Sequence, residues 1–70
     1  MTIGIGTYGK NRNYIDKTLN SIIALLKKYR YTNKTIITVC NDDKEYSLDY
    51  ITALKFQKKN PNLIVCKDNG

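Results

Sequence analysis

Thr35-Ile36-Ile37-Thr38-Val39-Cys40, followed at once by Asn41-Asp42-Asp43-Lys44-Glu45, is the stretch that decides the fold. Its first part is almost continuously β-branched, as strands with both faces buried tend to be. Its second part is a polar break. On its amino side, Ile15, Leu19, Ile22, Ile23, Leu26 and Tyr29 recur at helical spacing. Asn13 stands as a cap for that helix, with Asp16 three positions on in a capping-box-like place. Lys27, Lys28 and Arg30 fall in its last turn, where cations suit the helix dipole, and Asn33 is the expected stop. Thr2-Ile3-Gly4-Ile5-Gly6-Thr7 precedes it as a short strand.

On the carboxyl side, a second helix is predicted from about Tyr46 to Lys59. Leu48, Ile51 and Leu54 form its inner stripe, with Tyr50 and Ala53 beside it. Asn60-Pro61-Asn62 ends it, because proline cannot continue a helix. Leu63-Ile64-Val65-Cys66 is a third strand. Strands alternating with amphipathic helices imply right-handed crossovers and a parallel sheet. The expected fold is therefore α/β, a three-stranded parallel βαβαβ unit occupying residues 1–70 as one domain. Two helices do not cover both faces of such a sheet, so the unit reads as the amino-terminal part of a larger domain, a truncated product, or a piece that pairs with another chain.

At 70 residues the chain buries only about 60% of the surface exposed by its unfolded form. No apolar run approaches the roughly 20 residues needed to span a bilayer, and the start lacks the pattern of a signal peptide. The expectation is a soluble chain whose compartment stays open. The net charge is +6, but its cations are spread along the chain. Lys, Asn, Ile and Tyr all use AT-rich codons, so a biased genome explains the excess, and nucleic acid is not the expected partner. There is no histidine, which removes Ser-His and Cys-His catalysis and the usual zinc sites. Cys40 and Cys66 read as small buried hydrophobes at strand ends; whether they pair stays open.

In an open α/β sheet, ligands bind outside the carboxyl ends of the strands. Those ends are Thr7–Arg12, Asn41–Lys44 and Lys67–Gly70. Gly4-x-Gly6-x-x-Gly9 matches a dinucleotide fingerprint in letters, but Gly4 and Gly6 fall inside the strand, and no acidic residue stands about 20 positions on. Gly4-Ile5-Gly6-Thr7-Tyr8-Gly9-Lys10-Asn11 is one residue from a P-loop, with Asn11 where a magnesium-binding hydroxyl is required.

Thr2-Ile3-Gly4-Ile5-Gly6-Thr7-Tyr8 resembles the opening strand of GT-A-fold glycosyltransferases, and Tyr14-Ile15-x-x-Thr18-Leu19-Asn20-Ser21-Ile22 resembles the helix that follows it. The likeness extends to family 2 and to the N-acetylglucosaminyltransferase IV family. The strand from Thr35 to Cys40 with its polar sequel fits the family 2 pattern of strand then acidic pair. The resemblance implies a Rossmann-like half of a GT-A domain, binding a nucleotide-sugar, with a UDP-sugar first. Carried over by position, Thr7 and Tyr8 would contact the nucleoside, and Asp42 would accept a base N–H, with Asp43 or Asn41 as the other assignments. Lys10 and Arg12 would attract the diphosphate. Gly6 stands where the family commonly has proline, and there is no Asp-x-Asp motif. The divalent cation, Mn or Mg, would belong to a full-length parent, so no catalytic residue, metal ligand or cofactor is assigned within this chain. The rival expectations are a small basic α/β binding module without catalysis, and a nucleotide fold of Rossmann or P-loop type. A homo-oligomer or a missing carboxyl-terminal half would complete the unit.

Overall fold

The computed structural model describes residues 1–9 and 13–68. It is an α/β unit in the order β1 (Thr2–Thr7), α1 (Ile15–Lys28), a 3-10 turn (Thr32–Lys34), β2 (Ile36–Asn41), α2 (Leu48–Lys59) and β3 (Ile64–Asp68). The strands form one three-stranded sheet in the order β1-β2-β3. Both pairings are parallel, with Ile5 opposite Val39 and Val39 opposite Cys66. All three strands therefore end on the same rim.

Each crossover steps the sheet in the same direction, so both helices lie on one face and pack against each other. One core results, built of Ile15, Leu19 and Leu26 from α1, Tyr50 and Ala53 from α2, and Ile37, Val39, Leu63 and Ile64 from the sheet side. Ile3, Ile5 and Cys66 pack against it from the strands. Side chains alternate across a strand. The positions between these, Thr2, Gly4, Gly6, Ile36, Thr38, Cys40, Val65 and Lys67, accordingly lie on the other face. That face is uncovered, and Ile36 and Val65 are 47% and 38% exposed. The apolar run of β2 is thus buried on one face only, a correction to the reading of its continuous β-branching.

Cys40 and Cys66 are free. The register sets Cys66 against Val39 and Cys40 against Lys67, so their side chains leave the sheet on opposite faces and do not pair. Among the described residues no helix is long and apolar enough to cross a membrane.

The helix ends depart from the sequence reading. Asn13 does not cap α1. The N-cap position is Tyr14, which makes no side-chain cap bond. Instead the Asp49 carboxylate reaches across from α2, and its Oδ1 accepts the N–H groups of Tyr14 at 2.7 Å and Ile15 at 3.0 Å. At the other end α1 stops before Asn33. The Arg30 N–H donates to the Lys27 carbonyl and the Tyr31 N–H to the Leu26 carbonyl, with Arg30 at φ 60. This is the double bond of a Schellman close, usually built on glycine. Tyr29, the last of the residues at helical spacing, is exposed at the C-cap, with the Lys28 ammonium 5.7 Å from its ring centroid.

α2 begins at Leu48, not Tyr46, because Ser47 caps it by accepting the Tyr50 N–H at 3.1 Å. Its inner stripe is also different. Asp49, Tyr50 and Ala53 are buried, while Leu48 and Ile51 are 45% and 40% exposed. Apolar residues surround this helix, so spacing alone does not choose a face. The Asp49 bonds to α1 and the edge-to-face contact of Tyr50 with Tyr46, centroids 4.9 Å apart, go with the chosen face. Further along, Gln57 Oε1 accepts the Cys66 N–H at 2.7 Å, satisfying a donor on the free edge of β3.

Two stability measurements follow. Asp49→Ala leaves two N–H groups without their acceptor and lowers stability by about 1–3 kcal/mol in a guanidinium melt; an unchanged midpoint would count against the cross-helix cap. Arg30→Gly relieves a left-handed backbone and raises stability by about 0.5–1 kcal/mol, whereas a lower melting temperature would show that the Arg30 side chain matters more than its φ.

Candidate functional site

The parallel register brings the first and second predicted loops together on one rim. The Asp42 N–H donates to the Thr7 carbonyl at 3.2 Å, carrying the β1–β2 ladder one step past the strand ends. The Gly9 N–H then donates to Asp43 Oδ2 at 2.7 Å. Gly9 has φ 85, a left-handed conformation that glycine adopts without a Cβ penalty. That conformation goes with an amide aimed at the neighbouring turn.

Asn41 ties the rim from below. It is fully buried. Its Nδ2 donates to the Asp43 carbonyl at 3.0 Å and to Asp68 Oδ1 at 3.1 Å, joining the ends of β2 and β3. Its Oδ1 is buried and has no hydrogen-bond partner among the described residues. Asp68 also accepts from the Tyr46 hydroxyl.

The candidate residues thus take separate places. Thr7 is buried, and its hydroxyl donates to the Cys40 carbonyl at 2.9 Å, so it reaches the rim through its backbone. Tyr8, the next residue, is exposed. Asn41 and Asp43 hold the turns. Asp42 is the exposed acid. Its carboxylate lies over Gly6, where an added Cβ would stand 3.0 Å from Asp42 Oδ2. Glycine at position 6 therefore leaves room for this carboxylate. Lys10 and Arg12 lie outside the described residues.

The helix N-terminus beside this rim is already engaged. The α1 N–H groups of Tyr14 and Ile15 face Asp49, in the place where a phosphate would have to sit in a dinucleotide or P-loop fold. Gly4 and Gly6 are strand residues, not the turn those motifs need. Asp43 and Asp68 are committed to Gly9 and Asn41. Among the described residues no group of three or more His, Cys, Asp or Glu side chains is placed to hold a metal ion.

Sequence reasoning missed Asp49, Tyr46 and Asp68. Asp49 carried only the signal of an acid in a first helical turn. Asp68 was signalled by topology alone, since a third parallel strand must end on the same rim. In comparisons with known proteins, no family model, no curated protein and no solved structure matches the chain.

Three protonated groups cluster behind the rim. The negative charge of Asp68, then its hydrogen bond, raises the Tyr46 phenol above its ordinary 10.0. Burial first, then the neighbouring Cys66, raises Tyr50. Burial first, then Cys40, raises the Cys66 thiol above 9.0. Each folded group holds its proton to higher pH than its unfolded counterpart. The resulting stability is present in full below the ordinary values and is lost as pH rises through the raised ones. Unfolding free energy should stay level to about pH 9 and fall beyond it, tracked by denaturant melts alongside tyrosinate absorbance. A rise in stability across that range would contradict the arrangement.

Proposed function

We propose that this rim binds the nucleoside end of a nucleotide-sugar, a UDP-sugar first, in the manner of the amino-terminal half of a GT-A glycosyltransferase. The chain is proposed as a binding element, catalytically incomplete by itself. The observation that carries the reading is the pair of turns locked by Gly9 and Asp43, with Tyr8 exposed in the one and the Asp42 carboxylate exposed in the other. A uracil ring needs an acceptor for its N–H and a flat surface for its face. Asp42 supplies the first and Tyr8 the second, and stacking on an aromatic ring contributes about 1–3 kcal/mol per base. Of the three acceptors named for the base, Asp43 already accepts the Gly9 N–H and Asn41 is fully buried, which favours the exposed Asp42. Lys10 and Arg12 are proposed to face the diphosphate. In this reading the rest of a Rossmann-like GT-A domain, or a second chain, covers the open face of the sheet.

A Rossmann or P-loop reading has less support, because Asp49 already occupies the α1 N–H groups. A binding module without catalysis draws support from a separate basic cleft on the helical side.

Titration of the chain with UDP-sugar, ATP and NAD, followed by amide NMR, tests the proposal. UDP-sugar should move Tyr8, Gly9 and Asp42. Asp42→Ala should weaken it about tenfold, the loss of one charge-assisted bond. Gly6→Ala should displace the carboxylate and weaken binding too, with stability changed by under about 1 kcal/mol, since only a side-chain end must give. Shifts confined to Gly9 and Lys10 with ATP, or no response to any nucleotide, would sink it.

A further inference from the structure

The parallel helices border an open groove of about 580 Å³. Ile23 and Phe56, both half-buried, lie in it. Lys27 from the last turn of α1 and Lys55 and Lys59 from α2 stand on its walls. A second hollow of about 280 Å³ runs on towards Pro61 and is again bordered by Lys27 and Lys59. These two lysines therefore stand where the hollows meet. Both helices run the same way, so their carboxyl-terminal turns, each carrying its cations, come side by side.

The balance of charge in the cleft is one-sided. Among the described residues Asp16 is the one acid lining it. It accepts from its own neighbour Asn20 at 3.4 Å and lies 11 positions, about 16 Å of helix rise, from Lys27. Three lysines bordering one hollow, all exposed, repel each other through water, most strongly at low ionic strength. A multivalent anion relieves that repulsion. The net charge of +6 attracts one from a distance. The volume lies within the range of small-molecule sites. Lysine meets phosphate as a point charge on a flexible stem, so three of them suit clustered phosphates.

We propose that the cleft between α1 and α2 binds a small anion carrying two or more phosphate groups, through Lys27, Lys55 and Lys59. The site is separate from the rim and stands whether or not the rim binds a nucleotide. Its occupant is inorganic polyphosphate or a phosphorylated small metabolite, which share the chemistry the lysines read.

Amide NMR titration of the full chain at low salt, with tripolyphosphate and in parallel with a hexose bisphosphate, tests it. Saturable shifts should fall along Asn20–Lys27 and Thr52–Asn60. The stronger of the two probes identifies the source. Lys55→Gln with Lys59→Gln should weaken binding about tenfold or more, while Lys17→Gln with Lys34→Gln, the same loss of charge outside the cleft, should change it less than about twofold. Asp42→Ala should leave tripolyphosphate binding intact, which separates this site from the rim. Equal losses in the two double variants, shifts that never saturate, or shifts confined to Tyr8 and Asp42 would overturn the proposal. So would a single-stranded oligonucleotide that displaces tripolyphosphate from the same amides at lower concentration, because the groove would then belong to a polymer.

Discussion

Asp49 is a nearly buried carboxylate held between the starts of two helices. It sits in the first turn of α2, where a negative charge faces the positive end of that helix dipole. It also accepts two N–H groups at the start of α1. A buried charge is tolerable only with such partners. Its position therefore fixes how far α2 slides along α1 and which side of α2 turns inward. Both helices then begin at the same level, just below the rim where the strands end. The loops from Thr7 and Asn41 leave the sheet beside each other because the register is parallel, and Asp49 keeps the helices they feed in step.

The same connectivity leaves the other sheet face without cover. Parallel sheets usually have both faces packed. Here the bare side carries Ile36, Thr38, Cys40 and Val65, and β1 contributes only Thr2, Gly4 and Gly6 to it. The glycines make this half of the face shallow. Gly4 has nothing within 4 Å of where a Cβ would be, whereas Gly6 has the Asp42 carboxylate. Asp42 thus belongs to the open side of the rim, and Asp43, one residue on, bonds back to Gly9. β2 ends at Asn41 and the chain bends at Asp43, so the adjacent acids take different work.

The parallel direction of the strands was legible because β-branched runs of four to six residues separated by helical periodicity imply crossover connections, whereas the sequential order β1-β2-β3 comes from the structure. The boundaries moved by a residue or two, and β3 runs on to Asp68 because it pairs with Asn41. The rim was legible in outline, since parallel strands must end together. The face of α2 was not, because Leu48, Tyr50, Ile51, Ala53, Leu54 and Phe56 surround the helix. Nor was the cap of α1, which comes from a residue 35 positions away from Tyr14. Local cap rules favour Asn13, and a tertiary carboxylate displaced it. The burial of Thr7 was hidden for a similar reason, since its hydroxyl partner is the carbonyl of a different strand. The basic cleft exists only because two helices run parallel on one face, so no linear pattern announces it.

Among the described residues acids outnumber cations at the rim, where Lys44 and Lys67 also stand. Asp42, Asp43, Asp49 and Asp68 gather at or just below the rim, while Lys27, Lys58 and Lys59 crowd the far ends of the helices. Each group opposes the helix dipole end beside it, which stabilises both helices. The excess of acids also constrains what the rim can hold. A diphosphate placed against these carboxylates would be repelled unless cations intervene, and Lys10 and Arg12 are the basic residues of the first loop. A neutral, hydrogen-bonding ring meets no such penalty. In the proposed reading the base of a nucleotide would therefore sit at Asp42, with its phosphates away from Asp43 and Asp68.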